Sequence, residues 1–345
     1  MKASILGYGA YVPQYRIKIS EIAGVWGKNS IEIEKSLKVG EKSVSATDED
    51  AVTLAYEASL SALKRANVNP SDIGVCFVGS ESHPYAVNPT STIVAEFLGM
   101  GSNYLAADLE FACKAATTGM IAVSSMIESG RINIGLCIGT DRAQSKPHDI
   151  LEYTAASASA AFIIGESKEE SIAEIVDYTS YSSDTPDFWR RDGIQYPSHG
   201  GRFTGEPSYF AHVEAASKNL LSKLHLQPKD FDYCVFHMPN GKFPREVGKR
   251  LGFSDGQLLP SLTVDLIGNP YSASSLLGLS SVLDTAKPGQ MIFMTSYGSG
   301  AGSDSFVFKT GKGVSRRNSV PTFNELMEKK KYISYVEYLK FSRKI

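Results

Sequence analysis

Cys113 carries the most evident chemistry in this sequence, because it sits where a strand stops and a helix starts. The segment reads Asp108-Leu-Glu-Phe-Ala-Cys113-Lys-Ala-Ala-Thr-Thr-Gly119, and its small residues let a helix backbone be approached closely. The free N–H groups of a helix's first turn favour negative charge. A thiol there is expected to ionise below the ~8.5 of a free cysteine, and the thiolate is the nucleophile. The competing reading is a small buried core residue, as most free cysteines are. Cys76, Cys137 and Cys234 lie inside apolar, strand-like runs and read as core thiols. The four cysteines form no Cys-x-x-Cys pair and show no metal-ligand spacing, so no metal site is expected and the pattern is that of a reduced, intracellular chain.

Such a nucleophile needs a frame, and the sequence supplies one twice. Asn69-Pro-Ser-Asp-Ile-Gly-Val-Cys-Phe-Val-Gly79 recurs as Gln227-Pro-Lys-Asp-Phe-Asp-Tyr-Cys-Val-Phe-His237, with Pro, Asp and Cys coinciding. Ser124-Ser-Met-Ile-Glu128 recurs in the same order as Ser280-Ser-Val-Leu-Asp284, and that register sets Cys113 on Asn269. Apolar spacing predicts a helix over 51–66, with acids at 48–50 ahead of it, and a matching helix over 208–224. Segments 118–128 and 274–284 read as buried helices rich in Ser, Ala and Gly. Small-residue turns are expected at 157–161 and 298–302. Strand–helix alternation argues for layered α/β sheets, whose ligand sites gather at strand carboxyl ends. Glu81, Cys113, His237 and Asn269 all fall at such ends. A pseudo-twofold between the halves would bring Cys113 to Asn269 and the Glu81 loop to His237, joining a nucleophile, a base and polar donors. Taken singly, a loop Glu is most often solvated, and His237, after an apolar run, could be a satisfied core histidine. His83, His148, His199, His212 and His225 read as without a role in catalysis, structural or exposed.

The 345 residues, 42% of them hydrophobic, allow two domains or one unit built of two halves. A net charge of -2 gives no argument for nucleic acid. No stretch approaches the ~20 apolar residues of a membrane span, and the N-terminus runs straight into a strand without a signal-peptide core. A cytoplasmic protein is expected. The glycines of Tyr297-Gly-Ser-Gly-Ala-Gly302 precede a strand rather than open a helix, so they fail as a dinucleotide loop.

Several motifs together resemble the 3-hydroxy-3-methylglutaryl-CoA (HMG-CoA) synthase family, in its compact archaeal form, within the thiolase superfamily. They are Gly79-Ser-Glu-Ser-His-Pro-Tyr-Ala-Val-Asn-Pro-Thr-Ser91, Glu110-Phe-Ala-Cys-Lys-Ala115, His199-Gly-Gly-Arg-Phe-Thr-Gly-Glu-Pro207, Phe236-His-Met-Pro-Asn-Gly-Lys-Phe-Pro244, Gly268-Asn-Pro-Tyr-Ser-Ala-Ser274 and Ser296-Tyr-Gly-Ser-Gly-Ala-Gly-Ser-Asp304. Thr117-Thr118 departs from the smaller residues expected there, and reads as a packing variation. The resemblance implies a thiolase-like α/β fold: a duplicated, layered α-β-α-β-α core with pseudo-twofold halves at 1–166 and 167–310, and a tail over 311–345 that packs on the body or a partner.

The resemblance also implies roles. Acetyl-CoA would acetylate Cys113, Glu81 would take a methyl proton from the acetyl group, and the enolate would attack acetoacetyl-CoA. His237 would protonate the new alkoxide with Asn269 beside it. The backbone N–H groups of Cys113 and Ser299 are the expected oxyanion donors, and a carboxylate base in a dry cleft should have a raised pKa. Thr154 and Thr204 are implied as substrate contacts, and Arg202, Lys242 and Arg245 as partners for CoA, with Lys249 a weaker candidate. CoA thioesters serve as substrates and no cofactor is needed. The partners implied are a second copy of the chain, in a sheet-extending homodimer, and an assembly with acetoacetyl-CoA thiolase and an OB-fold, zinc-ribbon linker protein. Two rivals stand beside this reading: a ketoacyl synthase III-like enzyme, in which decarboxylation of a malonyl donor replaces base catalysis by Glu81, and a non-catalytic CoA-binding scaffold.

Overall fold

The computed structural model describes residues 2–316 and 320–345. Nine strands form its main sheet: β1 (Ala3–Tyr11), β2 (Val75–Gly79), β3 (Leu105–Leu109), β4 (Ile134–Arg142), β5 (Ser157–Glu166), β6 (Ala173–Ser182), β7 (Tyr233–Phe236), β8 (Met291–Thr295) and β9 (Gly302–Thr310). Their spatial order is β7-β8-β9-β6-β1-β5-β4-β2-β3. The seam between β1 and β6 holds only the pairs Ser4↔Glu174 and Ile5↔Ala173, and the pairing on its two sides is mirrored. On one side β1–β5 and β5–β4 are antiparallel and β4–β2 is parallel. On the other, β6–β9 and β9–β8 are antiparallel and β8–β7 is parallel. Among the described residues, only the first side has an outer parallel strand, β3.

Most of these strands are buried on both faces, and alternate residues go to different cores, as a period of two requires. Val75 and Phe77 of β2, Cys137 of β4, Val235 of β7, and Phe306 and Phe308 of β9 join one central cluster. That cluster also contains the buried faces of α2 (Ala115–Glu128) and α5 (Ser274–Thr285). Cys76, Val78, Leu136 and Ile138 point the other way, toward α1 (Ala51–Ala66). Cys234, Phe236, Phe293 and Val307 point outward from the second half, into the core with Phe210, Val213 and Leu220 of α3 (Phe210–Leu224) and Val247 of α4 (Lys242–Leu251). The layers are therefore α1, the β1 side of the main sheet (the first sheet), α2 with α5, the β6 side of it, and α3.

Local chemistry explains the elements. Asp50 caps α1 through Val52 N–H and Thr53 N–H, and Thr53 returns a hydrogen bond to the Asp50 backbone. Gly7 and Gly9 of β1 let α1 sit directly on the sheet: a Cβ would lie 2.4 Å from the Ala62 carbonyl at one and 2.2 Å from that of Ala58 at the other. The helix expected over 118–128 starts three residues earlier, and the one over 208–224 starts two later, after a wide turn at Gly205–Tyr209. The turn expected at 157–161 is instead the first half of β5. Its Ser and Ala side chains are small because α1 packs on the strand from one face while α2 and α5 press from the other. Beyond β9 the tail returns to its own body. Lys331–Tyr332 pairs with Tyr15–Arg16, and α6 (Tyr335–Phe341) buries Tyr335 and Tyr338. Among the described residues no helix is long and apolar enough to cross a membrane.

Candidate active site

Cys113 stands two residues before α2, held by a left-handed Ala112 (φ 44°). Such a φ is strained for a non-glycine residue and persists only where surroundings enforce it. The turn at 298–302 is part of those surroundings. A Cβ on Gly298 would meet the Phe111 carbonyl at 2.6 Å and Lys114 Cγ at 2.8 Å. Buried Asp304, at the start of β9, accepts from Lys114 Nζ (2.9 Å), Ser180 Oγ (2.7 Å) and Thr117 Oγ1 (2.8 Å). Thr117 and Thr118 thus have a physical account: both hydroxyls bond Asp304.

The Cys113 thiol donates to Glu81 Oε1 at 2.8 Å. Burial, then the Glu81 charge, pushes this thiol well above the ordinary cysteine range. The expectation of a thiol acidified by its helix is therefore overturned. The first-turn N–H groups favour an anion, but desolvation and the carboxylate outweigh them. Burial, with Asp141 nearby, also raises Glu81, to about 8, while the Cys113 hydrogen bond and Arg190 oppose the shift. The pair rests with its protons on and the carboxylate is a strong base when it loses its own.

Asp141, at the carboxyl end of β4, places the Glu81 loop. One oxygen accepts from Ser80 Oγ (2.9 Å), Glu81 N–H (2.8 Å) and Ser82 Oγ (2.6 Å). The other accepts from Ser272 N–H at 2.8 Å, so one buried carboxylate ties the base loop to the loop that follows Asn269. Asn269 itself is bracketed by the strand-like segment before β5: its N–H donates to the Thr154 carbonyl (2.7 Å) and its carbonyl accepts from Ala156 N–H (3.0 Å). Its Oδ1 accepts from Tyr271 N–H at 3.0 Å, which leaves the amide NH2 for the cavity. His237 continues β7 through a bond from its N–H to the Thr295 carbonyl, 2.9 Å. Its carbonyl accepts from Tyr209 Oη, and burial lowers the imidazole to about 3. A neutral ring with an N–H is what remains at neutral pH.

Cys113, His237, Asn269, Ser299, Thr154 and Thr204 all line one cavity of about 430 Å³, walled further by Phe188, Tyr271, Leu151 and Phe243. Glu81 lies in an adjoining crevice that shares Phe188 and Tyr271 with it. His199, read from sequence as structural or exposed, is on the cavity wall and faces Asp149 at 3.2 Å. Asp141, Phe188 and Tyr271 were not singled out from sequence. Lys242 and Lys249 share a shallow basic depression with Lys38, next to the cavity because Gly241 N–H bonds the carbonyl of cavity residue Leu37. Arg245 lines the same depression, but its guanidinium grips Asp265 through two bonds and donates to the Gly241 carbonyl. Its charge is thereby neutralised, and it serves to hold the turn rather than to offer a free cation. The side chain of Arg202 lies outside the described residues.

Residues 221–310 match the family described as 3-oxoacyl-[acyl-carrier-protein (ACP)] synthase III, C terminal. The hydroxymethylglutaryl-CoA synthase of Archaeoglobus fulgidus is 54% identical over 341 residues, covering 99% of this chain and 98% of its own. That of Methanocaldococcus jannaschii is 53% identical over 344 residues, 99% of each chain. The chain belongs to the hydroxymethylglutaryl-CoA synthase family. Its fold is thiolase-like, as the solved relatives show. An HMG-CoA synthase complexed with CoA superposes with a TM-score of 0.90 at 22% identity, over 99% of this chain and 90% of that one. A 3-oxoacyl-(acyl carrier protein) synthase III from Pseudomonas aeruginosa gives 0.81 at 20% identity, over 90% and 99%.

Proposed function

We propose that this member of the HMG-CoA synthase family condenses acetyl-CoA with acetoacetyl-CoA to 3-hydroxy-3-methylglutaryl-CoA and free CoA, using Glu81, Cys113, His237 and Asn269. The observation that carries the assignment of residues is the Cys113–Glu81 hydrogen bond of 2.8 Å beside a cavity walled by His237 and Asn269. Glu81, in its ionised form, takes the thiol proton as sulfur attacks the acetyl carbonyl, and passes that proton to the departing CoA thiolate, which restores the carboxylate. With acetyl on sulfur, the same carboxylate is placed to remove a methyl proton. The resulting enolate carbon bonds to the ketone carbon of acetoacetyl-CoA, and the ketone oxygen becomes an alkoxide. Neutral His237 and the Asn269 amide are donors for that oxygen, stronger in a water-poor cavity than in bulk. Water then splits the thioester and frees Cys113. Thr154, Thr204 and Ser299 contact the acyl groups in this reading. Lys38, Lys242 and Lys249, with Arg202, meet the CoA phosphates as charged partners.

The match of residues 221–310 to ketoacyl synthase III favours a second reading, with a malonyl donor. Glu81 separates the two, since decarboxylation needs no base. We also infer that residues 1–166 and 167–310 act as two halves around this site, that the chain is a cytoplasmic homodimer serving isoprenoid synthesis, and that it assembles with acetoacetyl-CoA thiolase through an OB-fold, zinc-ribbon protein.

Intact mass after brief mixing with acetyl-CoA tests the proposal. One acetyl adduct, absent in Cys113→Ala and discharged by acetoacetyl-CoA to the hydroxymethylglutaryl product, is expected. Discharge only by a malonyl donor would move the chain to the other class, and no adduct at all would remove the role of Cys113.

A further inference from the structure

Besides Asp141 and Asp304, a further buried carboxylate is held by several partners at once: Glu152. It is fully buried, in the single turn Ile150–Tyr153. One oxygen accepts from Trp26 Nε1 (3.0 Å) and His148 N–H (2.8 Å). The other accepts from Tyr335 Oη at 3.0 Å and faces the Lys344 ammonium at 3.8 Å. Its backbone carbonyl takes a further bond from buried Lys42, whose ammonium also meets Tyr338 Oη at 3.1 Å. Three of these groups, Tyr335, Tyr338 and Lys344, belong to the C-terminal segment built on α6, which lies some 180 residues further along the chain.

The turn that Glu152 anchors is not remote from the chemistry. Its neighbours Ile150, Leu151 and Thr154 wall the catalytic cavity. Thr154 N–H and Ala155 N–H bond the Leu151 carbonyl, at 3.1 and 2.8 Å, and the Thr154 carbonyl in turn holds Asn269 N–H at 2.7 Å. A short path of hydrogen bonds and peptide backbone therefore runs from α6 through Glu152 and this turn to the backbone of Asn269, whose side chain lines the cavity. A carboxylate buried this completely is costly unless every partner is in place, so the segment's seat and the turn's position are set together.

We propose that the C-terminal segment is a positioning strap for the active site, and that Glu152, clasped by Tyr335, is the residue through which it fixes Thr154 and Asn269. This rests on the reading of Asn269 as an oxyanion donor. A strap of this kind acts on turnover rather than on substrate capture, because the basic depression around Lys242 is formed by other elements.

The test compares wild type with Tyr335→Phe, Glu152→Gln and Val336→Ala, the last altering an exposed residue of the same helix. Steady-state rates are normalised to the folded fraction measured under assay conditions. Tyr335→Phe removes one donor and keeps the ring; it is expected to lower kcat about tenfold, equal to about 1.4 kcal/mol of transition-state stabilisation, with KM for acetyl-CoA within twofold. Glu152→Gln should lower kcat further, and Val336→Ala should match wild type. A purely structural role predicts unchanged kcat per folded molecule in Tyr335→Phe, and that result would overturn the proposal. So would a loss confined to KM. If wild type itself made no hydroxymethylglutaryl product, the functional reading would fail first, and separately.

Discussion

At the scale of single residues, the proposed nucleophile and base, Cys113 and Glu81, share a hydrogen bond and are both pushed toward their protonated forms. Glu81, raised to about 8, carries a proton across most of the neutral range. The sign follows directly: below about pH 8 the carboxyl is protonated and cannot accept a methyl proton, so kcat/KM should fall about tenfold per unit toward acid. Because Glu81 and Cys113 share a hydrogen bond, the apparent value belongs to the pair. Arg190, which bonds the Glu81 carbonyl from the surface at 3.2 Å, favours the ionised carboxylate. Arg190→Gln should therefore move the acidic limb to higher pH while leaving the alkylation stoichiometry of Cys113 intact; a limb that stays put or moves down would contradict this electrostatic account. Asp141 is more consequential. An asparagine there replaces one accepting oxygen with a donor, so either the Glu81 loop or Ser272 loses its anchor. Asp141→Asn is expected to reduce kcat by at least an order of magnitude, the usual scale for misplaced catalytic groups. Retention of acetyl transfer to Cys113 with slow condensation would be its signature in a single-turnover assay.

At the scale of elements, close packing between strands and helices sets where the strand ends point. Gly9→Ala would put a methyl group 2.2 Å from the Ala58 carbonyl of α1. Overpacking of this kind costs roughly 1–3 kcal/mol, so a lower urea midpoint at unchanged slope is expected. An unchanged midpoint would mean that α1 can lift from the sheet. This is also where the sequence was most and least readable. The 51–66 helix could be read to the residue, because apolar spacing and an acidic cap are local signals. The duplication was legible for the same reason: Glu81, Cys113 and His237 follow β2, β3 and β7 as read, whereas Asn269, expected at a strand end, follows the short helix Val264–Ile267. Segment 157–161 misled because small residues signal turns in isolation. Here they mark a strand pressed by helices on both faces. Asp141 was invisible since a charge at a strand's end usually meets water; its four partners come from two separate loops. The acidity of Cys113 was misjudged because the helix terminus is local to it, whereas the burial and the Glu81 carboxylate that overrule it are tertiary.

At the scale of the whole molecule, the asymmetry between the mirrored halves is informative. The first sheet ends in β3, paired by β2 on one side only, while the second half stops at β7. An edge strand with free N–H and C=O groups invites pairing unless it is covered or charged. Leu105, at the start of β3, is 51% exposed, and Phe97, in the helix before it, is 67% exposed. Tyr85 and Val87, in the loop that follows Glu81, are exposed as well. Two copies meeting edge to edge at β3 would continue the sheet across a twofold axis and bury apolar groups from that same loop. A stable contact of this type needs roughly 800 Å² from each copy, within reach of one strand, one helix and one loop. Sedimentation equilibrium at micromolar concentration is therefore expected to give a dimer, and Phe97→Glu with Leu105→Lys a monomer. A monomeric wild type would remove β3 as the interface. All four proposed catalytic side chains belong to one chain, so the monomerised variant should still take an acetyl group on Cys113. Its condensation step should be the slower one, because the loop carrying Glu81 would lose the apolar contacts that steady it. Equal losses in both steps would instead point to a global loosening of the fold.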